Sequence, residues 1–130
     1  MFGSRTTQMA TGERAVMIVD DDDAIRDALQ DVLRDEGYEV IEASDGQQAL
    51  GQLKGGRRPD AILLDLWMPV MDGWQFRDAV LEDPDLRDIP MIVLTAARHQ
   101  RADELGVAEV LTKPVTLERL LGVLDNLTST

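Results

Sequence analysis

The chain has 130 residues, 44% of them apolar and 29% charged, with no cysteine and a formal net charge of −12. Those values fit one globular domain with a sizeable core, and they exclude a disulfide framework and thiolate chemistry. The acidity (pI about 4.3) argues against nucleic acid or an anionic membrane surface as a main partner, since both are bound through basic patches.

Residues 1–13 are small and polar and lack the apolar stretch of a signal peptide; they read as a disordered tail or a cloning remnant. No apolar run approaches the roughly 18 residues of a membrane span, so a cytoplasmic location is expected. "AVMIVD" (Ala15 to Asp20) is a continuous apolar run, the mark of a strand buried on both faces. "DAIRDALQDVLRDEG" follows, with Ile25, Ala28, Leu29, Val32 and Leu33 at helical spacing and Gly37 as its C-terminal stop. "YEVIEA" (Tyr38 to Ala43) predicts a second strand, and "DGQQALGQLKGG" a short helix with Asp45 near its start. "DAILLDLW" (Asp60 to Trp67) predicts a third strand and "DGWQFRDAVLED" a helix ending before Pro84. "PMIVLTA" is a fourth strand, "RHQRADELG" a short helix, "VAEVLT" a fifth strand and "TLERLLGVLDNLT" a closing helix with a core stripe of Leu117, Leu120, Leu121 and Leu124. Five strands alternating with five helices predict right-handed βαβ units, a mostly parallel sheet and helices on both of its faces.

In such sheets ligands bind beyond the carboxyl ends of the strands. The first strand ends in Asp20 and Asp21, the third in Asp65, the fourth in Thr95, and the fifth in "LTKP", which sets Lys113 at its tip. One aspartate after a strand is an ordinary turn former or helix cap. Five such groups converging from four strands are not explained that way. They suggest phosphoryl transfer to a carboxylate: acids to hold Mg²⁺, an aspartate as nucleophile, and a lysine and a hydroxyl to bind the phosphoryl oxygens. Asp22 and Asp23, left over from the run of four, read as caps of the first helix.

"VDDDDAIR", "PDAILLDLWMPVMDG", "IVLTA" and "LTKP" together resemble the receiver domain of two-component response regulators, of the chemotaxis-receiver type. The resemblance implies a flavodoxin-like, three-layer α/β/α fold over residues 14–127, with 128–130 a short tail. It implies that Asp65 is the phosphoacceptor, that Asp21 binds Mg²⁺ directly (Mn²⁺ as a substitute) and Asp20 through water, and that the main-chain carbonyl of Trp67 completes the metal site. It makes Thr95 the switch hydroxyl, Ala96 the small residue beside it and Lys113 the partner of the phosphoryl oxygens, with a cis peptide at Pro114. The implied partners are a sensor histidine kinase or histidine phosphotransfer protein upstream and an unknown protein target downstream, for a monomer or weak dimer that contacts neither nucleic acid nor membrane directly. Such a domain is not an enzyme, although it assists its own phosphorylation and slow dephosphorylation.

Three features depart from the family's pattern. Val110 stands three residues before Lys113, where an aromatic ring is usual, which puts the usual switch in doubt. The interval from Thr95 to Lys113 is shorter by about one turn of helix, a deficit that falls in "AARHQRADELG". Trp67 and Ala97 occupy the positions that tune hydrolysis, and neither side chain can orient a water, so a long-lived phosphorylated form is expected. His99 reads as solvated. A stand-alone, single-domain receiver is expected; a receiver-fold interaction domain with an altered or uncoupled switch stays open, as does a receiver fragment of a larger response regulator or hybrid kinase. A phosphohydrolase is disfavoured, because Asp65 is followed by Leu66 and Trp67 rather than by the second acid of an Asp-x-Asp pair on a first strand.

Overall fold

In the computed structural model, which describes residues 14–65, 73–95 and 106–128, the five apolar runs become five parallel strands. They are β1 (Ala15–Val19), β2 (Glu39–Ala43), β3 (Ala61–Asp65), β4 (Met91–Thr95) and β5 (Glu109–Thr112), in the order β2-β1-β3-β4-β5. This is the flavodoxin-like order expected, with its reversal between β1 and β3. The strands begin at most two residues later than the apolar runs, the usual uncertainty at element ends.

Strand residues point alternately to the two faces of the sheet, and two cores result. Met17, Val19, Ile62, Leu64 and Val93 pack with Ala49, Leu53, Phe76 and Val80 of the helices α2 (Gly46–Lys54) and α3 (Gly73–Glu82). Val16, Ile18, Leu63, Ile92 and Leu94 pack with Leu33, Leu120 and Leu124 of the helices α1 (Asp23–Asp35) and α4 (Leu117–Thr128). Because both faces are covered, the central strands need apolar residues at nearly every position, which is why they read as continuous runs. The layers are therefore α/β/α. Four helices are seen among the described residues; the helix expected over 98–106 falls almost wholly outside them.

Short-range signals set the helix ends. Asp22 caps α1, its carboxylate accepting from the Ala24 and Ile25 N–H groups at 3.0 and 3.2 Å. Asp45 caps α2 by accepting from Gln48 N–H, and the Gln48 side chain reaches back to Ser44 N–H. At the other end of α1, Tyr38 N–H donates to Leu33 O and Gly37 N–H to Arg34 O, with Gly37 at φ 93°. That pair of bonds needs a left-handed residue, and Tyr38 and Leu33 then close the same core. Gly56, at φ 101°, ends α2 with the same two bonds.

The apolar stripes of the outer helices are only partly core. In α1 Leu33 is buried, Leu29 and Val32 are half-buried, and Ile25 and Ala28 are exposed. In α4 Leu120 and Leu124 are buried, Leu121 is half-buried and Leu117 is exposed. Ile25 and Leu117 sit in first turns, where each helix begins beyond the last strand residue and has no sheet beneath it. The capping reading of the acidic run is testable: Asp22→Ala should lower stability in urea by about 1 kcal/mol, against about 3–5 kcal/mol for Phe76→Ala in the core, with the denaturant slope unchanged in both.

Candidate functional site

The register of the sheet carries the singled-out residues to one edge. Val19 lies between Ala43 and Leu64, Asp65 is level with Leu94, and Thr95 with Thr112. The next residues beyond β1 are therefore beside the last residue of β3. A carboxylate oxygen from each of Asp20, Asp21 and Asp65 lies within 4.8 Å of the others.

The three acids are held differently. Asp20 is 2% exposed. Its N–H donates to Ala43 O at 3.2 Å, extending the β1–β2 ladder by one residue, and its Oδ1 accepts from Asp22 N–H at 2.9 Å. Asp21 is exposed and Asp65 half-buried. Lys113 Nζ stands 3.9 Å from Asp65 Oδ1. The Lys113 backbone is fixed by its own N–H, which donates to Thr95 O at 2.7 Å, and the Lys113–Pro114 peptide is cis. Thr95 is buried at the tip of β4. Val110 is half-buried on β5 and packs against the core under α2 and α3. Trp67, Ala96, Ala97 and His99 lie outside the described residues.

Burial pushes the Asp20 carboxyl above the usual carboxylate range; the Asp22 N–H pulls it back, the charge of Asp65 raises it again, Lys113 lowers it and Asp21 raises it. The pocket is thus a place where negative charge is crowded and only partly answered. Three hard carboxylate oxygens at this separation match what a small divalent cation such as Mg²⁺ takes as ligands, and a bound cation would reverse the local repulsion. The Lys113 ammonium beside Asp65 adds a positive group that an anion could meet.

One residue of the site was not singled out from the sequence. Arg26, in the first turns of α1, donates to the Asp20 main-chain carbonyl at 2.7 Å, pairs with Asp23, and lies 3.3 Å from Glu42 on β2. Burial works against its charge, but Asp23 and Glu42 outweigh that and raise its pKa further above the ordinary arginine value. The signal was present as a lone base three residues after the last of four acids in "DDDDAIR"; nothing in the spacing says which oxygen it reaches.

Residues 16–125 match the family model of the response regulator receiver domain. The chain is 36% identical over 130 residues to the transcriptional regulatory protein PdtaR of Mycobacterium tuberculosis, an alignment covering 96% of this chain and 62% of the relative. The chain thus spans about 62% of the length of that curated relative. Among solved structures, the chemotaxis response regulator CheY4 of Vibrio cholerae superposes with a TM-score of 0.80 at 34% identity, covering 89% of this chain and 99% of that one. The receiver domain of the sensor histidine kinase PA1611 from Pseudomonas aeruginosa superposes with a TM-score of 0.82 at 28% identity, covering 92% and 100%, and holds a magnesium ion in its active site cleft.

The raised pKa of Asp20 has a consequence for stability. The fold favours the protonated carboxyl, so the cost of ionising it is absent below the usual carboxylate range and complete once the pH passes above the raised value. Asp20→Asn keeps the Oδ1 acceptor and removes that cost. In metal-free buffer at neutral pH the substitution should raise the thermal midpoint. The gain should shrink as the pH falls into the carboxylate range; a gain independent of pH, or none, would contradict the charge argument.

Proposed function

The chain belongs to the response regulator receiver domain family, and from that premise we propose that it is a Mg²⁺-dependent phosphoacceptor, phosphorylated on Asp65 by a histidine kinase or histidine phosphotransfer protein. The observation that carries this reading is the meeting of Asp20, Asp21 and Asp65 within 4.8 Å at the carboxyl edge of the sheet, with the Lys113 ammonium 3.9 Å from Asp65. Asp65 is the acid of the three that stands beside a lysine at the end of a central strand, so it is the proposed nucleophile.

In this reading an Asp65 carboxylate oxygen attacks phosphorus, the P–N bond of a phosphohistidine breaks, and the imidazole nitrogen leaves with the electron pair and takes up a proton. Lys113 pairs with the phosphoryl oxygens as they arrive. The Thr95 hydroxyl, on the neighbouring strand, hydrogen-bonds one of them and is the proposed switch, with Ala96 as the small residue beside it. Asp20 and Asp21, with Asp65 and the main-chain carbonyl of Trp67, would hold the cation. When bound, Mg²⁺ (or Mn²⁺) supplies positive charge to the phosphoryl oxygens and removes the repulsion among the acids. Most of the acceleration then comes from positioning and electrostatics.

Transmission is where a second reading has support. Val110 sits in register with Val93 and packs into the core beneath α2 and α3. A branched aliphatic side chain in that place cannot make the rotamer change of an aromatic ring, which favours a domain whose output surface is altered or uncoupled from phosphorylation. The proposed target is a protein rather than nucleic acid or membrane; among the described residues no helix is long and apolar enough to cross a membrane.

Asp65→Asn should abolish incorporation of phosphate from a small acyl phosphate in Mg²⁺, read by intact mass and on a phosphate-affinity gel, while leaving the fold unchanged. Retained incorporation would move the acceptor elsewhere. With beryllofluoride and Mg²⁺, amide shifts reaching β5 and α4 would indicate a coupled switch, and shifts confined to the pocket an uncoupled one.

A further inference from the structure

The Arg26 guanidinium has no part in the proposed phosphoryl chemistry, yet it is held more completely than a surface arginine needs to be. Its side chain is 13% exposed. Its nitrogens reach three different elements: Nη1 donates to the main-chain carbonyl of Asp20 at the end of β1, Nη2 to Asp23 in the first turn of α1, and Nε faces Glu42 Oε1 on β2. Only a planar fork of donors on a long stem can span these at once; an ammonium cannot.

The contact with Asp20 is the one that bears on the site. The Asp20 N–H is directed to Ala43 O and its Oδ1 to Asp22 N–H. Its carbonyl belongs to the rigid peptide plane that continues into Asp21. Fixing that plane, with the next peptide held by the Asp22 N–H bond to Asp20 Oδ1, restricts the directions in which Asp21, exposed at the rim, can present its carboxylate. We propose that Arg26 is a positioning residue for the cation site: by clamping the Asp20–Asp21 peptide to α1 and β2, it holds Asp20 and Asp21 in convergence with Asp65. This rests on the reading that the three acids bind a divalent cation.

A purely electrostatic role predicts the opposite sign. A fixed positive charge beside the pocket repels a second cation, so if charge were all that Arg26 contributed, removing it would tighten Mg²⁺ binding. A positioning role predicts that removal loosens it. Calorimetric titration of Mg²⁺ into the metal-free, unphosphorylated full chain separates the two. Arg26→Gln and Arg26→Lys should each weaken binding by about tenfold, the range found when a ligand-orienting partner is lost, with Lys no better than Gln because its charge is kept and its fork is not. Glu42→Gln keeps an oxygen acceptor facing Arg26 Nε and leaves the Asp20 contact in place, so it should change affinity by no more than about twofold.

Circular dichroism establishes that each variant is folded; should Arg26→Gln not fold, Arg26→Lys decides. Unchanged or tighter Mg²⁺ binding in folded Arg26→Lys overturns the proposal. A wild-type chain that binds no Mg²⁺ overturns the metal reading beneath it and the proposal with it, a result distinct from wild-type binding that the variants retain.

Discussion

Three carboxylates brought within 4.8 Å of one another form the constraint around which this molecule is organised. In water such a cluster would separate. The sheet prevents separation, because Asp20 and Asp65 continue adjacent parallel strands whose register is set by buried apolar residues. Val19 and Leu64 are paired and wholly buried, and a slip of one residue in either strand would exchange the side chains it sends to the two cores. The repulsion is thus held in check by hydrophobic packing several ångströms below it.

The same packing explains how the residual charge is shared. Asp22 gives its carboxylate to the start of α1 and its N–H to Asp20. Asp23 turns to Arg26, and Lys113 faces Asp65. What looks in the sequence like one acidic patch is divided among a helix terminus, an ion pair and an open pocket. Only the pocket keeps charge in excess, and it does so where Asp20 is nearly inaccessible to water, which is where electrostatic interactions are strongest and where a cation has most to offer. Burial of Asp20, one of the groups proposed to bind a cation, is also what disfavours its ionised form in the fold.

The other end of the proposed mechanism is less conventional. Thr95 and Thr112 are level across β4 and β5, and Val110 is level with Val93, so the edge strand is coupled to the pocket through backbone pairing and aliphatic packing. The proposal of an altered route outward from the site rests on that aliphatic packing of Val110.

Most of this was legible in the sequence. Continuous apolar runs of about five residues, alternating with helical stripes, can be buried only by a two-faced parallel sheet, so the fold class followed from pattern alone; so did the gathering of strand-end acids at one edge, since parallel strands share a carboxyl end. Caps at Asp22 and Asp45 were readable because they depend on neighbours within three residues. What the sequence could not supply were distances and partners between elements. That Ile25 and Leu117 are exposed while Leu33 and Leu124 are buried depends on where each helix overhangs the sheet, which helical spacing does not encode. That Arg26 reaches back to the Asp20 carbonyl and across to Glu42 depends on how α1 lies against β2, a matter of tertiary packing between residues far apart in the chain. The sequence by itself determined which groups are present and on which edge they emerge, because periodicity and chain direction are local properties; only the folded structure decided which oxygen each cation meets, because that is settled by the side-by-side placement of elements whose contacts are non-local.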